Sequence, residues 1–140
     1  MRKAEDDLAA AERLNADDAA RFREVVAFHC QQSAEKYIKA LLTANRIDFP
    51  KTHSIQRLLE LALPMNGPLM ESLLPAHWLT AFAAETRYPS DTPECLPGDE
   101  AKALALARRV REAVLHLLSL PSTPVSRASQ FDPCKSSDLK

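Results

Sequence analysis

Apolar residues recur at three- and four-residue intervals along most of this chain, the spacing that lines one face of an α-helix. Between Arg2 and Leu14, the residues Leu8, Ala9, Ala11 and Leu14 stand among charges, a weak amphipathic pattern that predicts a peripheral helix. Asn15 to Asp18 reads as a break followed by an Asp cap, with a new helix starting there. From Asp18 to Asn45 no Gly or Pro intervenes and strong helix formers dominate, which predicts the longest helix. At about 100° per residue, Phe22, Val26, Tyr37 and Ala40 fall on one side of it, with Cys30, Ala34, Ile38 and Leu41 on the adjoining side. So wide an apolar arc requires more than one packing neighbour. Phe28 falls instead among Glu24, Gln32, Glu35 and Lys39, a large aromatic on the face expected to be wet. That marks Phe28 and Gln32 as a candidate partner surface, with a homodimer as the expected assembly.

Arg46 to Thr52 reads as a loop containing Pro50, after which Ser54 caps a short helix with Ile55, Leu58, Leu59 and Ala62 inward. Pro64 and the Met65-Asn66-Gly67-Pro68 turn close it, and Pro75 precedes a helix expected from Ala76 to Thr86, with Trp78, Leu79 and Phe82 as core anchors. Arg87 to Gly98 holds three prolines without apolar periodicity and reads as a loop. Asp99 is the expected cap of a last helix ending near Leu120, with Ala103, Leu106, Ala107, Val110 and Val114 on its inner face. Residues 121–140 are rich in Ser and Pro and poor in apolar side chains, so a flexible tail is expected after a domain of residues 1–120. The whole predicts an all-α, up-and-down bundle of four to five helices.

Composition narrows this reading. A chain of 140 residues with 46% hydrophobic content suits one domain with one core, and only two glycines disfavour strand-and-turn architectures. The net charge of −1 provides no global positive field, so DNA is not an expected partner and any RNA site must be a local patch. Cys30, Cys95 and Cys134 lack metal-ligand spacing and are odd in number, which indicates a reducing compartment; a cytoplasmic protein with no metal and no cofactor is expected. The acidic start, Glu5-Asp6-Asp7, is unlike a signal peptide, and no apolar run is long enough for a bilayer.

The run Phe28-His29-Cys30-Gln31-Gln32-Ser33-Ala34-Glu35-Lys36, followed by Lys39-Ala40-Leu41-Leu42, resembles the FHCQQAAEK-type signature of HEPN domains (higher eukaryotes and prokaryotes nucleotide-binding). Pro50-Lys51-Thr52-His53-Ser54 before a leucine-rich helix, and Arg87-Tyr88-Pro89 before the last one, follow in the family's order. The resemblance spans roughly residues 4 to 120. It implies a bundle of four or five helices, frequent dimerisation, and pairing with a minimal nucleotidyltransferase as toxin and antitoxin. It also implies, for many members, metal-independent ribonuclease activity from an Arg-x4-6-His motif near the last core helix. Here Arg87 is followed by Tyr88, Pro89, Ser90, Asp91, Thr92 and Pro93, with no His in that window.

Metal-independent RNA cleavage needs a base, an acid and a cation at the phosphate, roles that His and Arg fill. On a helix Arg23 and His29 lie about 120° apart and Arg111 and His116 about 140° apart, so neither pair converges; Arg46 and His53 flank a bent loop. His29, Ser33 and Lys36 share a helical stripe with Phe22, Val26 and Ala40, polar groups on a face fit for burial, and therefore in need of partners. Arg87, Tyr88 and His53 are the expected partners in a small polar pocket. Lys36 and Arg87 would hold a phosphate, Tyr88 would stack on a base, and His29 or His53 would move a proton, making His29, His53 and Arg87 the candidate catalytic set. Each also has a structural reading: His29 as a hydrogen-bonded core histidine, Lys36 as a snorkelling side chain, Arg87 as the ion-pair partner of Glu35 or Glu85. His53 and Tyr88-Pro89 serve equally as helix entries. Cys30 reads as packing rather than nucleophile.

Overall fold

In a computed structural model the described residues are 1–83 and 94–120, and they form helices with no strand among them. In chain order these are α1 (Arg2–Asp18), α2 (Arg23–Ala44), α3 (Ile55–Ala62), α4 (Gly67–Ser72), a 3-10 helix (Leu74–Phe82) and α5 (Asp99–Ser119). Arg87 and Tyr88 of the expected pocket, and the tail from residue 121, lie outside the described residues.

The long helix is the centre of the bundle, as its wide apolar arc requires. α2 packs against α1, α3, α5 and the 3-10 helix. Val26, Ala27, Cys30, Ala34, Tyr37, Ile38, Leu41 and Leu42 are buried along it. From α5, Ala103, Leu104, Ala107, Val110 and Val114 close the core on one side, and the predicted inner face of α3 (Ile55, Leu58, Leu59, Ala62) closes it on another. Burying a Leu, Ile or Val side chain stabilises by roughly 1.5–3 kcal/mol, so burial of this cluster is the dominant stabilising contribution to the fold.

Helix ends depart from the sequence pattern in instructive ways. α1 does not break at Asn15 but continues to Asp18; Asp18 caps nothing, and its Oδ1 instead accepts from the Arg21 amide, 3.1 Å away, in the turn to α2. The Asn15 side-chain oxygen is consequently buried without a partner among the described residues. Ser54 does cap α3, accepting from the Arg57 amide at 3.2 Å. The expected turn at Asn66 is itself a helix start, where the Asn66 side chain accepts from the Leu69 amide at 3.1 Å and Pro68 occupies the first turn. The segment around Pro75 is a 3-10 rather than an α-helix and spans Leu74–Phe82, and the expected end at Thr86 lies outside the described residues. Trp78 and Phe82 meet edge to face, 5.0 Å between ring centres, and Lys102 lies over the Trp78 ring at 4.2 Å. Gly98, not Asp99, precedes α5, in a left-handed conformation with φ of 97°. Asp99 turns its Oδ2 back to the Leu96 amide at 2.8 Å.

The end of α2 closes by the Schellman pattern. The Arg46 amide donates to the Thr43 carbonyl at 3.0 Å and the Ile47 amide to the Leu42 carbonyl at 2.9 Å, satisfying orphan carbonyls of the last turn. Arg46 occupies the left-handed position, φ 57°, that glycine usually fills.

Candidate functional site

The signature run on α2 forms two polar knots on different flanks of the helix. The first faces α1. His29 Nδ1 lies 3.0 Å from Asp7 Oδ1, and Lys36 Nζ lies 2.5 Å from Asp7 Oδ2. Ser33 Oγ donates to the Ala4 carbonyl at 2.9 Å. The stripe of His29, Ser33 and Lys36 therefore finds its partners on the first helix. Asp7 is mostly covered, its side chain 14% exposed, while Lys36 remains 36% exposed. An ionised carboxylate only accepts, so the His29 proton facing it sits on Nδ1.

The second knot faces the loop before α3. Glu35, only 5% exposed, accepts from Gln31 Nε2 at 2.6 Å, Lys39 Nζ at 2.7 Å and His53 Nδ1 at 2.9 Å. Gln31 is fully buried and receives in turn from Gln32 Nε2 at 2.7 Å. Burial pushes the Glu35 carboxyl up, but the bonds from Lys39, His53 and Gln31 outweigh it, and its pKa lies below the ordinary carboxylate value. Lys39 also lies 5.7 Å from the centre of the Phe49 ring. A third contact ties α1 to α5. Tyr37 donates to Glu5, which also accepts from Arg111 Nε at 2.9 Å. The Tyr37 bond holds Glu5 below the usual range, while burial and that same bond raise the phenol.

His29 and His53 are not brought to one carboxylate. Six residues separate His29 from Glu35, about 120° around the helix, so the two imidazoles serve different flanks. Phe28, expected on the wet face, is half-buried and meets the His29 ring edge to face at 5.3 Å. Glu35, expected on that face too, is buried. Of the helical Arg–His pairs, Arg23 is bound to Glu100 at 2.7 Å and Arg111 to Glu5, while His29 belongs to Asp7, so neither pair acts together. Cys30 is sealed in the core and burial pushes its thiol up to about 12. No group of three His, Cys, Asp or Glu side chains among the described residues is placed to hold a metal.

Two clefts in the described surface lie elsewhere. One of about 270 Å³ runs between α1 and α5 beside Leu8, Arg108 and Arg111, where Arg108 is paired with Glu12 at 3.1 Å. The other, about 320 Å³, lies between α4 and α5 beside Leu73, Arg109 and His116. Neither contains a residue of the two knots.

Sequence reasoning missed Asp7 and the centrality of Glu35, and both had a signal. Asp7 stands three residues after Ala4 and four before Ala11, on the stripe that α1 buries. Gln31, Glu35 and Lys39 are spaced one helical turn apart, an acceptor flanked by donors. A family model described as HEPN domain matches residues 1–117. No curated protein and no solved structure matches the chain. No helix among the described residues is long and apolar enough to cross a membrane.

Proposed function

Because the chain belongs to the HEPN domain family, we propose that it is a nucleotide- or RNA-binding protein acting as the toxin-like partner of a minimal nucleotidyltransferase. Membership supports a nucleotide- or RNA-related function; the pairing is our reading. The observation that carries this reading is the signature run itself, whose donor side chains are committed to partners within the bundle. His29 and Lys36 are bonded to Asp7, and Lys39 to Glu35, so these groups brace the bundle before they meet a ligand. Self-association through the Phe28 and Gln32 side of α2 belongs to the same reading, extended by Val25, which is 41% exposed one turn away. Co-expression with a minimal nucleotidyltransferase encoded beside it, followed by size-exclusion chromatography with light scattering, is the test. A stable complex is expected, and failure to form one with the neighbour, or the lack of such a neighbour, defeats the pairing.

A second reading, a metal-independent ribonuclease using His29, His53 and Arg87, is favoured by one observation. Both imidazoles are held through Nδ1 by a carboxylate, which fixes the ring orientation that proton transfer requires. RNA incubated in the presence of chelator should then be cut, and His29→Ala, His53→Ala and Arg87→Ala should each abolish cutting. Unchanged cleavage in all three defeats this assignment.

A further inference from the structure

The Asp7 carboxylate is held by donors of α2. His29 and Lys36 converge on its two oxygens at 3.0 and 2.5 Å, and Ser33, on the stripe between them, donates to the Ala4 carbonyl of the same helix as Asp7. A phosphate group presents the same oxygens to the same kind of donors. The helix that delivers Asp7 lies along α2, with Leu14 partly buried against the core. α1 buries Ala4, Leu8 and Ala11, and much of the rest of its attachment is ionic or hydrogen-bonded: Glu5 to Arg111 and Tyr37, Glu12 to Arg108, Asp7 to His29 and Lys36. Ion pairs at a surface weaken with salt, and an element held this way opens at a free energy below that of global unfolding. The turn from Ala19 to Phe22 offers the hinge.

We infer that α1 is an autoinhibitory strap whose Asp7 fills a phosphate site formed by His29, Ser33 and Lys36, and that a phosphate-bearing ligand, nucleotide or RNA, displaces it. The inference rests on the nucleotide-directed reading given above. An intramolecular carboxylate competes at high effective concentration, so a single phosphate is disfavoured and an RNA strand with several phosphates is favoured. The site's apparent affinity is reduced by the fraction of molecules in which the strap is closed.

The test uses the full chain, with ATP and a short single-stranded RNA as probes in low salt. Asp7→Asn should bind RNA about tenfold or more tightly than wild type, whereas Asp6→Asn, the same charge change at an exposed neighbour, should not reproduce the gain. Adding Lys36→Ala to Asp7→Asn should remove it. A response to both probes identifies a mononucleotide site, and a response to RNA alone a strand site. Independently of any variant's folding, RNA added to the wild-type protein should accelerate hydrogen exchange of α1 amides while those of α3 are unchanged. Equal RNA affinity in Asp7→Asn and wild type, or α1 amides that are unaffected or slowed by RNA and ATP, overturns the inference. RNA binding that persists without Lys36 and without movement of α1 would remove the strap yet leave the nucleotide-directed reading standing. Failure to form a nucleotidyltransferase complex would remove the pairing and leave both the nucleotide-directed reading and the strap standing.

Discussion

Glu35 is the residue whose loss the fold should feel most among its polar groups. It is 5% exposed, and Gln31, Lys39 and His53 all direct donors at it. Glu35→Ala removes the acceptor from three donors at once, one of them the fully buried Gln31 amide. A buried donor left unpaired, here the Gln31 amide, costs about 1–3 kcal/mol, while Lys39 and His53, 26% and 33% exposed, retain access to water. Against a domain stability of about 5–15 kcal/mol, Glu35→Ala is a substantial loss. Glu35→Gln is the informative variant. It keeps shape and one accepting oxygen but turns an NH2 toward a donor, for an expected loss of about 1.5–3 kcal/mol. Urea unfolding followed by circular dichroism at neutral pH should show a lower midpoint with an unchanged slope. The pH dependence provides the sharper check. Because the folded-state pKa of Glu35 lies below its unfolded value, its contribution is fully present above the unfolded glutamate pKa and is lost as pH falls through the folded one. The gap between wild type and Glu35→Gln should therefore narrow on acidification, with Glu5, whose pKa is also lowered, cancelling because both proteins retain it. A gap below about 0.5 kcal/mol at neutral pH, the level of an ordinary surface change, or one that stays constant on acidification, refutes this account of the knot.

Three further outcomes follow from local geometry. Arg46→Gly should stabilise by about 1 kcal/mol, measured by the same unfolding experiment, because the left-handed position at the end of α2 penalises a Cβ; a loss of stability would show that the Arg46 side chain makes a larger contribution than its backbone costs. Asn15→Ala should be neutral to stabilising by about 1 kcal/mol, since it removes a buried oxygen without a partner and favours the helix, and a drop in midpoint would contradict that reading. In the folded protein at neutral pH, Cys30 should resist a thiol reagent that labels it rapidly in denaturant, its thiol being raised to about 12 by burial; fast native labelling identified at Cys30 by mass spectrometry would overturn it.

The helical bundle was largely written in the spacing of apolar residues. The arc on α2 demanded several neighbours, and the inner faces of α3 and α5 were fixed by the period alone, because burial of those side chains dominates the energetics. Where the pattern misled, a local polar choice had lost to packing. Asn15 to Asp18 carried the residues of a break, yet Leu14 is partly buried against the core and the helix continues past it. Pro75 marked a helix start, and the segment behind it tightened into 3-10 form so that Ala76, Leu79 and Phe82 could all face inward. The Asp99 cap failed because Gly98 supplied the left-handed turn and freed the carboxylate to bind the loop.

The polar knots were less legible, for a reason that bears on how the signature works. Periodicity assigned His29, Ser33 and Lys36 to a face fit for burial and stated that they needed partners, but an amphipathic pattern ranks residues by hydropathy and is blind to which charge opposes which. Asp7 completes the stripe from another helix, and Glu35, read by hydropathy as solvent-facing, is the most heavily bonded acceptor described. Taken together, nearly every residue of the signature has a physical duty within the bundle. Cys30 and Ala34 pack, Gln31 and Glu35 bind the loop before α3, and His29, Ser33 and Lys36 bind α1. A motif of this kind can specify a fold through its buried hydrogen bonds alone, so its presence identifies the family without identifying chemistry. What distinguishes a brace from a site is whether its internal partner can be exchanged for a ligand. Of the two carboxylates, Glu35 is buried in the bundle's longest helix, whereas Asp7 sits on a helix that buries three small or medium apolar side chains. The first is therefore the place to look for stability, and the second for function.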